Sequence, residues 1–124
     1  MLAGAELVAF VAARDLNVSA RFYGDVLGLE LVESTPFAKV FDAGGTTLRV
    51  TRTDAPAAAG YTVLGWKVPD IEAAIGALRA RGVEFRRFEG LEQDAHGAWT
   101  APGGSRIAWF ADPDGNTLSL QQAP

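Results

Sequence analysis

The chain carries one histidine, His96, and no cysteine, so few side chains can move a proton or hold a soft metal near neutral pH. Thiolate catalysis, iron–sulfur clusters, disulfides and Cys-ligated zinc are excluded, as is any site that needs two or three imidazoles from one chain. His96 stands in the polar run Gln93-Asp94-Ala95-His96-Gly97. It is a weak candidate for an acid or base, with Glu92 and Asp94 as neighbouring carboxylates. No Ser–His–Asp arrangement fits that spacing. Gly44-Gly45 and Gly103-Gly104 neither open a helix nor precede a lysine, so they read as turns and not as phosphate cradles. What remains is recognition chemistry. Arg49 lies in a strand-like run where a guanidinium could grip a carboxylate through two hydrogen bonds. Lys67 is weaker evidence of the same kind, and Trp99 and Trp109 could stack against a planar or apolar ligand.

These side chains must be positioned by a small globular domain. The 124 residues are 48% hydrophobic and 21% charged, an ordinary balance for one domain that folds without a disulfide or metal staple. The formal net charge of −4 repels phosphate backbones, so nucleic acid is not an expected partner. The apolar stretch 7–13 follows Glu6 and no basic region opens it, so no signal peptide is expected. No apolar run approaches the ~18 residues of a spanning helix. The expected address is the cytoplasm, without a membrane partner.

The order of elements repeats. Residues 7–13 form a short apolar strand, and Asp15 or Asn17 caps the helix that follows. Val18, Phe22 and Val26 recur on one face of that helix, joined by Tyr23 and Leu27 on the adjoining ridge, and Gly28 ends it. Strands are expected at 29–33, 37–41 and 46–52, the last two joined by a turn at Asp42-Ala43-Gly44-Gly45. Residues 54–60 are rich in alanine and read as a linker. The pattern then returns: a strand at 61–68, a helix capped by Asp70 with Ile71, Ala74, Ile75 and Leu78 on its buried face, and Gly82 as its end. Strands follow near 83–88, 97–100, 106–110 and 117–121. Arg14-Asp15-Leu16 lies over Pro69-Asp70-Ile71, and Gly45-Thr46-Thr47-Leu48-Arg49-Val50 over Gly115-Asn116-Thr117-Leu118-Ser119-Leu120. This is a duplicated βαβββ unit, with module one at about 5–53 and module two at about 61–122.

The run Asp112-Pro113-Asp114-Gly115-Asn116 with Leu118-Ser119-Leu120, together with Arg14-Asp15-Leu16, Phe22-Tyr23 and Val26-Leu27-Gly28-Leu29, resembles the vicinal oxygen chelate superfamily. That superfamily includes glyoxalase I, bleomycin-resistance proteins, fosfomycin-resistance enzymes and extradiol dioxygenases. The resemblance spans nearly the whole chain. It implies an α+β fold of two tandem βαβββ modules whose sheets curl into an open cleft, and a homodimer. In metal-dependent relatives, ligands come from the first and last strand of each module. Those positions fall here on Val8, Val63, Arg49 and Ser119. Two valines have no donor atom, arginine is a cation and serine is a weak ligand, so no metal and no other cofactor are expected.

Strand alternation from those positions places Val8 and Phe10 on the cleft face, with Val63 and Lys67, and Ser119 with Gln121. Arg49, Trp99 and Trp109 complete the expected binding cleft, and Trp66 falls on the helix-covered side. The leading reading is a metal-independent protein that binds a small organic molecule between the modules. A metal-independent lyase or isomerase is the alternative. An accessory module with its cleft filled by Phe10, Trp99 and Trp109 is the third.

Overall fold

The computed structural model describes residues 1–124 as two compact units, Met1–Ala57 and Ala58–Pro124. Each is a βαβββ module, and the fold is α+β. No helix is long and apolar enough to cross a membrane.

The first unit runs β1 (Val8–Ala13), α1 (Leu16–Ala20, continued as a π-helical turn over Arg21–Val26), β2 (Glu30–Ser34), β3 (Ala38–Ala43) and β4 (Thr46–Arg52). Its sheet has the order β1-β4-β3-β2, with β1 parallel to β4 and the other pairs antiparallel. Asp15 caps α1, accepting from the N–H groups of Asn17 at 2.9 Å and Val18 at 3.2 Å. The expected helix face is buried at Tyr23 but not at Val18. Leu16, Ser19 and Tyr23 are buried, whereas Val18 is exposed. The wide π turn, seen in the Leu27 N–H bond to the Phe22 carbonyl at 2.9 Å, rotates the later residues away from strict four-residue spacing. Tyr23 is thereby the residue packed on the sheet, its ring 6.1 Å from that of Phe41.

The second unit runs β5 (Thr62–Lys67), α2 (Ile71–Arg79), β6 (Trp99–Thr100), β7 (Arg106–Ala111) and β8 (Thr117–Gln122), in the order β5-β8-β7-β6. Asp70 caps α2 through the Ala73 N–H at 3.1 Å, and Gln122 Oε1 accepts from the Ile71 N–H at 2.8 Å. Ile71 and Ile75 are buried, as are Ala108, Phe110, Leu118 and Leu120 on β7 and β8, the strands against which α2 packs. Burying such side chains contributes about 1.5–3 kcal/mol each for the larger ones.

Residues 83–88 do not form the expected strand. Their polar backbone is satisfied another way. The Arg86 N–H donates to the Trp109 carbonyl at 2.8 Å, and the Gln93 side-chain amide does the rest. Its Nε2 donates to the Arg86 carbonyl at 2.9 Å and its Oε1 accepts from the Phe88 N–H at 2.7 Å. A side chain therefore replaces a ladder partner over 83–88, and of the strand expected near 97–100 only Trp99–Thr100 is regular.

The Asp112–Asn116 turn joins β7 to β8. Asp112 Oδ1 accepts from the N–H groups of Asp114 and Asn116, both at 2.9 Å, and Oδ2 accepts from Asn116 Nδ2 at 2.8 Å. Both residues are buried. Gly115 takes a positive φ of 84° there, which glycine adopts at no steric cost.

Candidate functional site

Cross-strand register decides which side chains share a face. In the first unit, β1 sets Val8 beside Thr47, Phe10 beside Arg49 and Ala12 beside Thr51. Across the next strand, Val40 stands opposite Arg49, and Glu33 stands opposite Val40. Leu48 and Val50, on the other face, are buried under the helix. Val8, Phe10 and Arg49 thus share the face away from α1, as alternation predicts. Phe10 is 64% exposed. Arg49 is half-buried, and no carboxylate of the chain pairs with it.

In the second unit, Ser119 lies opposite Trp109 and Gln121 opposite Ile107, while Trp99 lies opposite Ile107. Gly65 and Lys67 pair with Ser119 and Gln121. Ser119, Gln121, Trp99, Trp109 and Lys67 therefore lie on one face, with the two indoles 6.1 Å apart. At Gly65 a Cβ would meet Ser119 Oγ at 2.7 Å, so the serine hydroxyl would have to turn away. Trp66 pairs with Leu120 on the helix side, yet it is only half-buried because β5 is an edge strand.

Val63 falls at an irregularity. Thr62 pairs with Thr117 and Leu64 with Leu118, leaving Val63 as the extra residue of a bulge. The residue set against Thr117 is consequently Thr62.

The second unit holds a pocket of about 320 Å³ lined by Gly60, Tyr61, Thr62, Phe88, Leu91, Trp109 and Thr117. Phe88 meets Trp109 edge to face, at 5.3 Å between ring centroids and 87° between planes. Arg86 reaches the same wall: its Nη1 donates to Thr117 Oγ1 at 2.8 Å. Sequence reading missed Thr62, Tyr61 and Phe88 as pocket-lining residues, and Arg86 as the partner of Thr117. The available signal was the alternation of Val83 and Phe85 with Arg86 and Phe88, but it leads to the pocket only once residues 83–88 are known to run along β7.

The polar segment around His96 is a structural clamp. Asp94 Oδ1 accepts from the His96 N–H at 2.9 Å and the Ala98 N–H at 3.0 Å, and Oδ2 accepts from Arg106 Nη2 at 2.7 Å. Burial pushes the Asp94 carboxyl up, but the Ala98 N–H, the Arg106 guanidinium and the His96 N–H outweigh it and hold the group below the usual carboxylate range. Arg87 adds bonds to the carbonyls of Gln93, Asp94 and Ala95. Asp94 is fully engaged in this clamp, and the His96 side chain is exposed beside it.

At the positions where metal-dependent relatives place ligands, the structure sets Val8, Arg49, Ser119 and the bulged Val63. No three His, Cys, Asp or Glu side chains converge anywhere in the chain. This side-chain set does not fit a metal ion.

The backbone has solved relatives. A member of the glyoxalase/bleomycin resistance protein/dioxygenase superfamily from Sphaerobacter thermophilus is 25% identical, with a TM-score of 0.76 over 98% of this chain and 99% of that one. A lactoylglutathione lyase from Agrobacterium tumefaciens is 22% identical, with a TM-score of 0.74 over 96% of this chain and 93% of that one. A glyoxalase/bleomycin resistance protein/dioxygenase from Alicyclobacillus acidocaldarius is 23% identical, with a TM-score of 0.71 over 97% and 92%. Among curated proteins, none matches this chain. The family model for glyoxalase, bleomycin resistance protein and dioxygenase matches residues 6–120. With the tandem modules and the Asp112–Asn116 turn, that match closes the question of kinship: the chain belongs to the Glyoxalase/Bleomycin resistance protein/Dioxygenase superfamily.

Proposed function

We propose that this protein is a metal-independent, ligand-binding member of its superfamily that holds a small organic molecule on the open face of a module sheet. The observation that carries this reading is the pocket of about 320 Å³ in the second unit. Its walls are aromatic and aliphatic, with the hydroxyls of Thr62 and Thr117 as the polar points, which is the make-up of a small-molecule site. Trp99 and Trp109 extend the apolar wall, and Ser119, Gln121 and Lys67 border it with polar groups. In the first unit, Arg49 beside Phe10 supplies a cation suited to an oxyanion. The engagement of Asp94 in its clamp favours binding over acid–base chemistry centred on His96.

The test is a titration of tryptophan fluorescence and near-ultraviolet circular dichroism with a panel of small aromatic and aliphatic compounds, in chelator. Saturable change in wild type that is lost in Trp109→Ala supports the reading. Silence across the panel, or binding that chelator abolishes, overturns it.

The same reading makes the chain a homodimer. Strand β1 is a sheet edge on which Val8 and Phe10 are exposed, with Leu7 exposed just before it, and a second copy is the occupant that would cover them.

A further inference from the structure

We infer that the pocket of the second unit is specific for planar carboxylates, a ring bearing a carboxyl group, and that Arg86 is its specificity-determining residue. The inference deepens the reading above and rests on the same pocket.

Arg86 is placed by the chain with unusual completeness. Its backbone N–H is fixed to the Trp109 carbonyl at 2.8 Å, and its carbonyl to Gln93 Nε2 at 2.9 Å. With both main-chain groups held, the side chain crosses the sheet face toward β8, where Nη1 donates to Thr117 Oγ1 at 2.8 Å. Thr117 is a lining residue of the pocket, so the guanidinium stands one hydrogen bond from the wall. The fixing partner is a neutral hydroxyl. It orients the fork without cancelling its charge. None of the ion pairs of the chain involves Arg86, although Arg86 is half-buried. Among the remaining donors, those on Nη2 and Nε form the fork that matches two carboxylate oxygens.

Such a cation is costly to leave in a partly apolar setting unless an anion meets it. The chain as a whole is acidic, with a net charge of −4, so the need is local and not part of a broad basic surface. The rest of the pocket states the shape of the ligand. Trp109 and Phe88 stand edge to face, Tyr61 is exposed at the rim, and Leu91 fills a further side. A flat ring finds a face of one aromatic and an edge of another there. A volume of about 320 Å³ lies at the small end of ligand pockets, which suits one ring or two fused rings.

Calorimetric titration of the full chain with 1-naphthoate and with 1-naphthamide tests this directly, because the two differ in charge and hardly in shape. Wild type is expected to bind the carboxylate at least tenfold more tightly, with the preference shrinking as salt is raised. In Arg86→Gln the preference should collapse to near unity while naphthamide affinity is kept, which also shows that the variant is folded. In Arg86→Lys an intermediate preference is expected, since the charge stays and the fork is lost. Equal binding of the two compounds by wild type overturns the role of Arg86 and leaves the pocket reading standing. A preference that survives Arg86→Gln but disappears in Arg49→Ala also overturns it, and moves specificity to the first unit. Binding of neither compound, with tryptophan signals silent to the wider panel, removes the pocket reading and this inference together.

Discussion

Single side chains in this protein fall into holders of structure and presenters of chemistry, and the two classes predict different experiments. Asp112 is a holder. Its carboxylate accepts from two N–H groups and the Asn116 amide, so Asp112→Ala leaves buried donors unmet and should cost about 2–3 kcal/mol. Asp112→Asn keeps an acceptor and should cost less; urea denaturation measures both. Ser19 is the reverse case. It is buried and its Oγ has no hydrogen-bond partner, so Ser19→Ala should raise stability by up to about 1 kcal/mol in the same assay. Asp94 titrates. Its folded value is depressed, so its contribution to stability is fully present above the unfolded value, about pH 4, and is lost as pH falls through the lower folded value. Amide exchange of residues 94–98, taken relative to its intrinsic rate at each pH, should quicken below about pH 4 in wild type. In Asp94→Asn it should be faster throughout and lack that pH step; an identical profile in the two proteins contradicts the clamp.

At the scale of elements, periodicity alone gave the right strands and helices wherever a backbone ladder satisfies the chain, and failed where a side chain or a bulge does. Alternation placed Phe10 with Arg49, and Trp109 with Ser119, because these strands are regular over the relevant residues. It did not see the extra residue in β5, which leaves Val63 without a ladder partner and brings Thr62 opposite Thr117. It drew a strand at 83–88 because the apolar alternation is present there, while the Gln93 amide that supplants the ladder leaves no periodic trace. It put Tyr23 on the buried face of the first helix but began that face at the exposed Val18 and missed Leu16 and Ser19. The pocket hid in these same irregularities: Thr62, Phe88 and Arg86 all stand on them. Gly65 gives the element-scale prediction. A methyl there meets Ser119 Oγ at 2.7 Å, so Gly65→Ala should destabilise by about 1 kcal/mol, and adding Ser119→Ala should recover most of the loss. Additive effects of the two substitutions would show that the β5–β8 contact is not the cause.

For the molecule as a whole, the duplication legible in the sequence carries a physical demand. Each unit covers one face of its sheet with a helix and leaves the other face partly apolar. In the first unit that open face includes Val8 and Phe10, exposed on an edge strand. Exposed apolar groups on a strand with unpaired backbone are an aggregation hazard unless a partner covers them. The Asp112–Asn116 motif shows why kinship was easier to read than function: it marks the superfamily, yet its groups are spent on holding a turn. Self-association is the economical answer to the open face, since one patch then covers its own copy. Light scattering should give about twice the 13.1 kDa chain mass. Phe10→Glu, which puts a charge into that face, should shift the population toward single chains at a given concentration. Because Trp109, Phe88 and Thr117 all lie in the second unit, naphthoate titration of Phe10→Glu separates the two properties. Retained binding by a single-chain species shows that the pocket is complete within one unit, and a wild-type mass of 13.1 kDa overturns the dimer.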